Sequence, residues 1–157
     1  MSLDHRRTAW SGATATRADR WKVGVLAGAL AVSWASMVFH NLWELPLPLL
    51  AVENIGPLAL DIALLVVCWR TPRSAVVWAV ILAWGLLNMV VGGLLTVLPL
   101  PVLPFVPEQS VGHYAVHVVY AVGQLPLVLV AAGALRRLRH QKHGSGAKGD
   151  RDDRADG

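Results

Sequence analysis

The feature that most constrains this chain is the placement of its Lys and Arg residues, which lie beside four long apolar runs and almost entirely outside them. No Lys or Arg lies between Lys22 and Arg70 or between Arg73 and Arg136. Charged residues make up only 15% of the 157 residues and hydrophobic residues 55%, whereas soluble domains carry roughly 25% charge. A soluble chain this short cannot cover its surface with so few charges. The sequence therefore predicts an integral membrane protein and argues against a water-soluble enzyme.

The apolar runs have the lengths of transmembrane helices. The first, 23–43, is about 31 Å long at 1.5 Å per residue, close to the ~30 Å hydrocarbon core of a bilayer. Short connections between the runs favour antiparallel neighbours. The predicted fold is an all-α, up-down antiparallel four-transmembrane-helix bundle, with disordered tails at residues 1–22 and 139–157. The predicted spans are approximately 23–43, 53–69, 75–98 and 111–138.

The distribution of Lys and Arg predicts the orientation in the membrane. Five lie in the N-terminal tail, two in the turn at 70–74 and seven in the C-terminal segment. The two Pro-rich loops, at 45–50 and 98–108, contain none. Because cytoplasmic loops carry the excess of Lys and Arg, both termini should be cytoplasmic and both Pro-rich loops outside. We expect a plasma-membrane protein of the bacterial inner-membrane type.

The same distribution bears on the partners of the protein. Its formal net charge is +4, but the basic residues lie in short flanks beside apolar runs and form no phosphate-binding face. The expected partner is the lipid bilayer and not nucleic acid. A homo-oligomer and a partner in a membrane complex both stay open. The single cysteine, Cys68, excludes an intrachain disulfide and a Cys-x-x-Cys oxidoreductase.

Each predicted helix carries one stripe of polar or small residues. Steps of three, four or seven residues keep such side chains on one helix face. Since polar groups are costly in lipid, these faces should point into the bundle. Hydrogen bonds and small-residue contacts between helices explain much of the pattern. The stripes comprise Ser33, Ser36, His40 and Glu44; Asn54, Asp61 and Cys68; Gly85, Asn88, Gly92 and Thr96; and His113, His117, Tyr120 and Gln124.

Three histidines should lie at one depth in the outer half of the bundle. His40 is expected about 5 Å below the outer boundary, with His113 about 3 Å and His117 about 9 Å below it. Glu44 lies at that boundary, and Asp61 should lie about 12 Å deep. These five residues form the candidate metal or ligand site. Four further polar residues are expected to support it: Asn54, Asn88, Tyr120 and Gln124.

Three interpretations of this cluster stay open. Imidazole and carboxylate ligands suit Zn, Fe or Cu, with His113 and His117 on one helix face. Haem b could instead be held by His40 and either His113 or His117. The third interpretation is a protonatable or hydrogen-bonded cluster without metal, since imidazole titrates near pH 6.5. Asp61 should be protonated or pair with a donor such as His117 or Asn88.

The functional hypotheses follow from these interpretations. The first is a non-enzymatic membrane protein whose outer cluster binds a transition metal or a protonatable ligand, for transport, sensing or complex assembly. The second is a membrane enzyme or electron-transfer subunit that acts on a lipid-soluble substrate such as a quinone or an isoprenoid. The third is a structural accessory subunit without chemistry of its own.

Overall fold

The computed structural model describes residues 17–45, 47–101 and 106–152, and these residues contain no β-strand. Four α-helices follow one another along the chain, and a π-helix continues the third of them. The helices are α1 (Arg17–Glu44), α2 (Val52–Arg70), α3 (Ala75–Leu87), the π-helix (Asn88–Leu95) and α4 (Val111–Asp152).

Four helical stretches are long and apolar enough to cross a membrane. Even the shortest, Val52–Arg70 with 19 residues, has a length of about 28 Å. Large apolar side chains are exposed along the helices; Val76 is 72% exposed and Leu129 68%. An all-helical chain with apolar exposed faces is compatible with a small membrane protein.

Both terminal helices continue into segments that the sequence predicts to be disordered. α1 begins at Arg17 and α4 ends at Asp152, although the predicted spans begin at residue 23 and end at residue 138. Arg, Lys, Gln and Ala in these segments favour extension of an existing helix, whereas Gly144, Gly146 and Gly149 oppose it. The rest of the predicted tails, 1–16 and 153–157, lies outside the described residues.

The third predicted span contains a change of helix type that the sequence analysis did not anticipate. α3 changes to a π-helix at Asn88, and the helical part ends at Leu95, three residues before the predicted end. The changed hydrogen bonding is visible where the Thr96 amide donates to the carbonyl of Val91, five residues earlier, at 3.2 Å. Such π-helical turns occur frequently at functional sites.

The helices contact one another as α1–α2, α2–α3, α3–α4 and α4–α1. Residue pairs between α1 and α4 run in opposite directions: Glu44 contacts His113, whereas Ser33 contacts Gln124. These pairs define two ends of the molecule. At the Glu44 end, α1 finishes and α2 and α4 begin. At the Arg70 end, α2 finishes and α3 begins.

An apolar core fills the part of the molecule toward the Arg70 end. Its members come from all four helices and are at most 9% exposed. The Trp78 indole within it donates a hydrogen bond to the Pro72 carbonyl at 2.9 Å, which ties α3 to the turn before it. The buried members are Leu26, Ala29, Leu30, Leu64, Cys68, Trp78, Ile81, Leu127 and Ala131.

Candidate functional site

Two contacts between α1 and α4 form the centre of the candidate site. The His113 Nδ1 atom lies 2.7 Å from the Glu44 Oε2 atom. One turn deeper, the Nε2 atoms of His40 and His117 lie 3.1 Å apart. Because α1 and α4 run in opposite directions, steps of four residues on each helix bring these side chains together in pairs. His113 is 9% exposed and His117 4%.

The start of α4 positions His113. The Ser110 hydroxyl accepts a hydrogen bond from the His113 amide at 3.2 Å, as an N-cap side chain does for the third residue of a helix. This cap determines where α4 begins and therefore which of its residues face Glu44.

A chain of hydrogen bonds extends from the loop after α1 to the histidines. The Pro48 carbonyl accepts a bond from the Asn54 amide group, Nδ2, at 3.1 Å. Since a carbonyl oxygen can only accept, Asn54 must turn its Oδ1 atom toward Asn41. The Asn41 Nδ2 atom donates to that oxygen at 2.9 Å, and the Asn41 Oδ1 atom then faces His40 Nδ1 at 3.1 Å. His40 therefore carries its proton on Nδ1.

The direction of this chain determines the tautomer of His117. A neutral imidazole has one N–H donor and one acceptor nitrogen. With its proton on Nδ1, His40 presents a lone pair at Nε2, so the Nε2 atom of His117 must donate the bond between the two rings. The neutral His117 ring is then unprotonated at Nδ1. That Nδ1 atom is buried and has no hydrogen-bond partner.

The Glu44 contact determines the tautomer of His113 by the same reasoning. A carboxylate only accepts, so the His113 Nδ1 atom carries the proton in that 2.7 Å contact. A neutral His113 is then unprotonated at Nε2, which is also buried and without a partner. The centroids of the His113 and His117 rings are 4.5 Å apart. Two buried imidazole nitrogens, His113 Nε2 and His117 Nδ1, thus have no side-chain hydrogen-bond partner.

The π-helix forms the facing wall of the site. An added side chain at Gly92 would meet the Tyr120 ring at 2.8 Å, and one at Gly93 would meet Ala121 at 2.8 Å. The two glycines therefore allow the backbone to approach α4 closely. Backbone hydrogen bonding from Gly92 and Gly93 also acts on the His117 ring.

Asp61 belongs to a second hydrogen-bonded network. Its Oδ1 atom accepts a bond from the Trp84 indole at 2.9 Å, whereas the sequence analysis expected His117 or Asn88 as the donor. The Asn88 side chain donates to the Trp84 carbonyl at 2.9 Å and accepts from the Tyr120 hydroxyl at 2.8 Å. The Tyr120 ring lies against His40, with the centroids 5.3 Å apart. Asp61 is therefore linked to the histidines only through intermediate side chains.

Gln124 lies beyond the histidines, toward the apolar core. It bonds the side chains of Ser33 and Ser36 and the Ser33 carbonyl. Gln124 is fully buried, and its polar atoms have partners. Its contacts hold α1 against α4, which is the packing role that hydrogen bonds commonly have between membrane helices.

Two residues at the site were missing from the sequence prediction. Asn41 transmits the direction of the hydrogen-bond chain to His40, and Trp84 is the donor to Asp61. Trp84 precedes Asn88 by four residues, so the spacing of the third stripe contained a signal for it. Asn41 lies beside the stripe of α1, and no spacing rule points to it.

The arrangement does not support the metal interpretation, and it does not fit one of the two histidine pairs considered for haem b. Within the described ranges, no group of three or more His, Cys, Asp or Glu side chains is arranged to hold a metal ion. Imidazole–metal bonds are about 2 Å long, so two axial haem ligands must stand about 4 Å apart. His40 Nε2 and His117 Nε2 lie closer than that, at 3.1 Å. As an axial pair, these two residues do not fit haem b.

The chain matches no protein-family model, no curated protein and no solved structure.

Proposed function

We propose that the protein is a non-enzymatic multi-pass protein of the plasma membrane that binds a protonatable ligand at the Glu44 end. The binding would serve transport, sensing or the assembly of a membrane complex. One observation carries the proposal: two buried imidazole nitrogens, His113 Nε2 and His117 Nδ1, have no hydrogen-bond partner. Buried polar atoms without partners are rare, because each costs roughly 1–3 kcal/mol.

The surrounding chemistry supports uptake of positive charge at this point. Imidazole changes its charge between about pH 5 and 8, so a proton is available to it under physiological conditions. The Glu44 carboxylate at 2.7 Å from His113 stabilises an imidazolium through a charge-assisted hydrogen bond. The buried residues of the apolar core toward the Arg70 end include no Asp, Glu, His, Lys or Arg. This contrast favours binding of a ligand over conduction through the helices.

The proposed membrane arrangement is an up-down antiparallel bundle with the Glu44 end outside and both termini cytoplasmic. The order of contacts between neighbouring helices and the excess of Lys and Arg at the other end support it. Single-cysteine variants in a Cys68→Ala background test the orientation. A membrane-impermeant maleimide added to intact cells should label Glu108→Cys and leave Thr71→Cys unlabelled until the membrane is opened. Labelling of Thr71→Cys alone would contradict the orientation.

Proton uptake by the purified protein tests the proposed function. In nanodiscs taken from about pH 8 to about pH 5, the wild type should take up more protons than a His113→Gln/His117→Gln variant. Glu44→Gln, which keeps an acceptor oxygen but removes the charge, should lower the proton affinity of the site about tenfold. His140→Gln, at an exposed position, is the matched control for loss of a histidine outside the site.

Metal analysis and a visible spectrum of the same samples complete the test. Equal proton uptake by the wild type and the double variant would overturn the proposal. So would stoichiometric Zn, Cu or Fe, or a haem spectrum, that is present in the wild type and absent from the double variant.

A further inference from the structure

We infer that the Arg70 end of the bundle binds the headgroups of anionic phospholipids. The inference uses the membrane arrangement proposed above and does not depend on the ligand site at the Glu44 end. Four exposed arginines form what we call the basic surface: Arg70 at the end of α2, and Arg136, Arg137 and Arg139 on α4. Among the described residues, none of these four guanidinium groups has an ion-pair or hydrogen-bond partner. Their charge is therefore available to an anionic ligand.

The fold brings these arginines to the same end of the molecule, although the sequence places them in separate short flanks. Leu138 lies between Arg137 and Arg139 and packs against the apolar core. Cys68, two residues before Arg70, is a buried member of the same core. The end of α2 and this part of α4 therefore lie at one end of one core.

Exposed apolar side chains beside the basic surface favour a lipid over a soluble anion. Trp69, which directly precedes Arg70, is 59% exposed, and exposed tryptophans in membrane proteins concentrate where acyl chains meet headgroups. Val67 and Val76, on the two sides of the turn between α2 and α3, are also exposed. An apolar surface that ends in arginines complements a molecule with acyl chains and an anionic headgroup. Inorganic phosphate would leave the apolar part of this surface uncovered.

The distance from the membrane limits which basic residues can contribute. The attraction between an anionic lipid surface and a basic side chain falls off within a Debye length, about 8 Å at physiological ionic strength. α4 continues beyond the basic surface to Asp152. Lys148 and Arg151 lie roughly 15 and 20 Å farther along its axis than Leu138, at 1.5 Å per residue. These two residues carry the same charge on the same helix and are therefore a matched control.

Native mass spectrometry of the full chain, released from nanodiscs of equal phosphatidylcholine and phosphatidylglycerol, tests the inference. Both lipids have acyl chains and a phosphate, but only phosphatidylglycerol has a net negative charge. The wild type should retain phosphatidylglycerol in preference to phosphatidylcholine. Arg136→Gln/Arg137→Gln should lower this preference about twentyfold, since each Arg near an anionic surface strengthens binding about fivefold. Lys148→Gln/Arg151→Gln should keep the wild-type preference.

Equal retention of the two lipids by the wild type, or an equal preference in the two double variants, overturns the inference. Inorganic phosphate at constant ionic strength should not displace the bound phosphatidylglycerol, because it has no acyl chains. Displacement would indicate a phosphate site and would also overturn the lipid assignment. Gln favours a helix about as well as Arg, so an unchanged unfolding temperature of both variants excludes misfolding as the cause of a loss. Proton uptake at the Glu44 end is measured separately, so either proposal can fail without the other.

Discussion

The two ends of the helices are held together in different ways. Toward the Arg70 end, buried contacts are between apolar side chains, such as Leu26, Ile81 and Leu127, each fully buried. Toward the Glu44 end, the buried contacts include a chain of side-chain hydrogen bonds from Asn54 to His117. Van der Waals packing is sufficient to associate membrane helices. The polar contacts at the Glu44 end therefore exceed what packing alone requires.

The Glu44 end also differs in how completely its polar groups are satisfied. Asn54 and Gln124 are fully buried, and each makes hydrogen bonds from its side chain. Within the described residues, only His113 and His117 leave a buried side-chain nitrogen without a partner. Helix packing explains Gln124, but it does not explain two costly unpaired nitrogens beside a carboxylate. The unpaired nitrogens of His113 and His117 therefore lower the stability of the bundle at one place, and we propose that the ligand binds there.

Replacement of Trp78 tests whether apolar packing holds the Arg70 end together, and it should have the largest effect on stability. Trp78 is 2% exposed, and its indole bonds the Pro72 carbonyl. Trp78→Ala should lower the free energy of unfolding by roughly 3–5 kcal/mol, because it leaves a large cavity. Trp69→Ala, at a position that is 59% exposed, is the matched control and should cost far less. Reversible unfolding in detergent measures both, and equal losses would contradict the assigned core.

Much of the fold follows from the sequence, and the reasons are physical. Four apolar runs of spanning length predict four apolar helices, and four such helices are present in the described part of the chain. Antiparallel helices with polar residues every four positions bring Glu44 beside His113 and His40 beside His117. The sequence did not predict Trp84 as the partner of Asp61. That contact depends on how α2 is rotated about its axis relative to α3, and the spacing of polar residues does not define this rotation. The π-helix was not predicted either, because the adjacent glycines Gly92 and Gly93 weaken an α-helix without specifying a π-helix in its place.

Replacement of Gly93 tests the close approach of the π-helix to α4, which forms one wall of the candidate site. A methyl group there would meet the Cβ atom of Ala121 at 2.8 Å and its Cα atom at 3.0 Å. Gly93→Ala should therefore destabilise the protein by roughly 1–3 kcal/mol through overpacking, and it should also weaken ligand binding by displacing the wall. Gly28→Ala is the matched control, because nothing lies within 4 Å of a methyl group at Gly28. If both variants unfold like the wild type, the close approach of the π-helix to α4 is wrong.

Replacement of Asp61 should have the smallest effect on stability. It tests whether the hydrogen bonds around Asp61 act separately from the histidine contacts. Asp61→Asn keeps an oxygen that can accept the Trp84 indole proton, so we expect less than about 1 kcal/mol of destabilisation. Ligand binding should stay at wild-type level, since Asp61 reaches the histidines only through Trp84, Asn88 and Tyr120. A tenfold loss of ligand binding in Asp61→Asn would move Asp61 into the binding site.

The central claim is that the hydrogen-bond chain from Pro48 and the Glu44 carboxylate together leave His113 Nε2 and His117 Nδ1 unprotonated. Nitrogen NMR of ¹⁵N-histidine-labelled protein in nanodiscs at about pH 8, where imidazole is neutral, reads the tautomer of each ring directly. We predict protons on Nδ1 of His40 and His113 and on Nε2 of His117. In Asn54→Ala, the His40 and His117 tautomers should become mixed while His113 keeps its proton on Nδ1. A proton on His113 Nε2 or His117 Nδ1 in the wild type under these conditions would contradict the account.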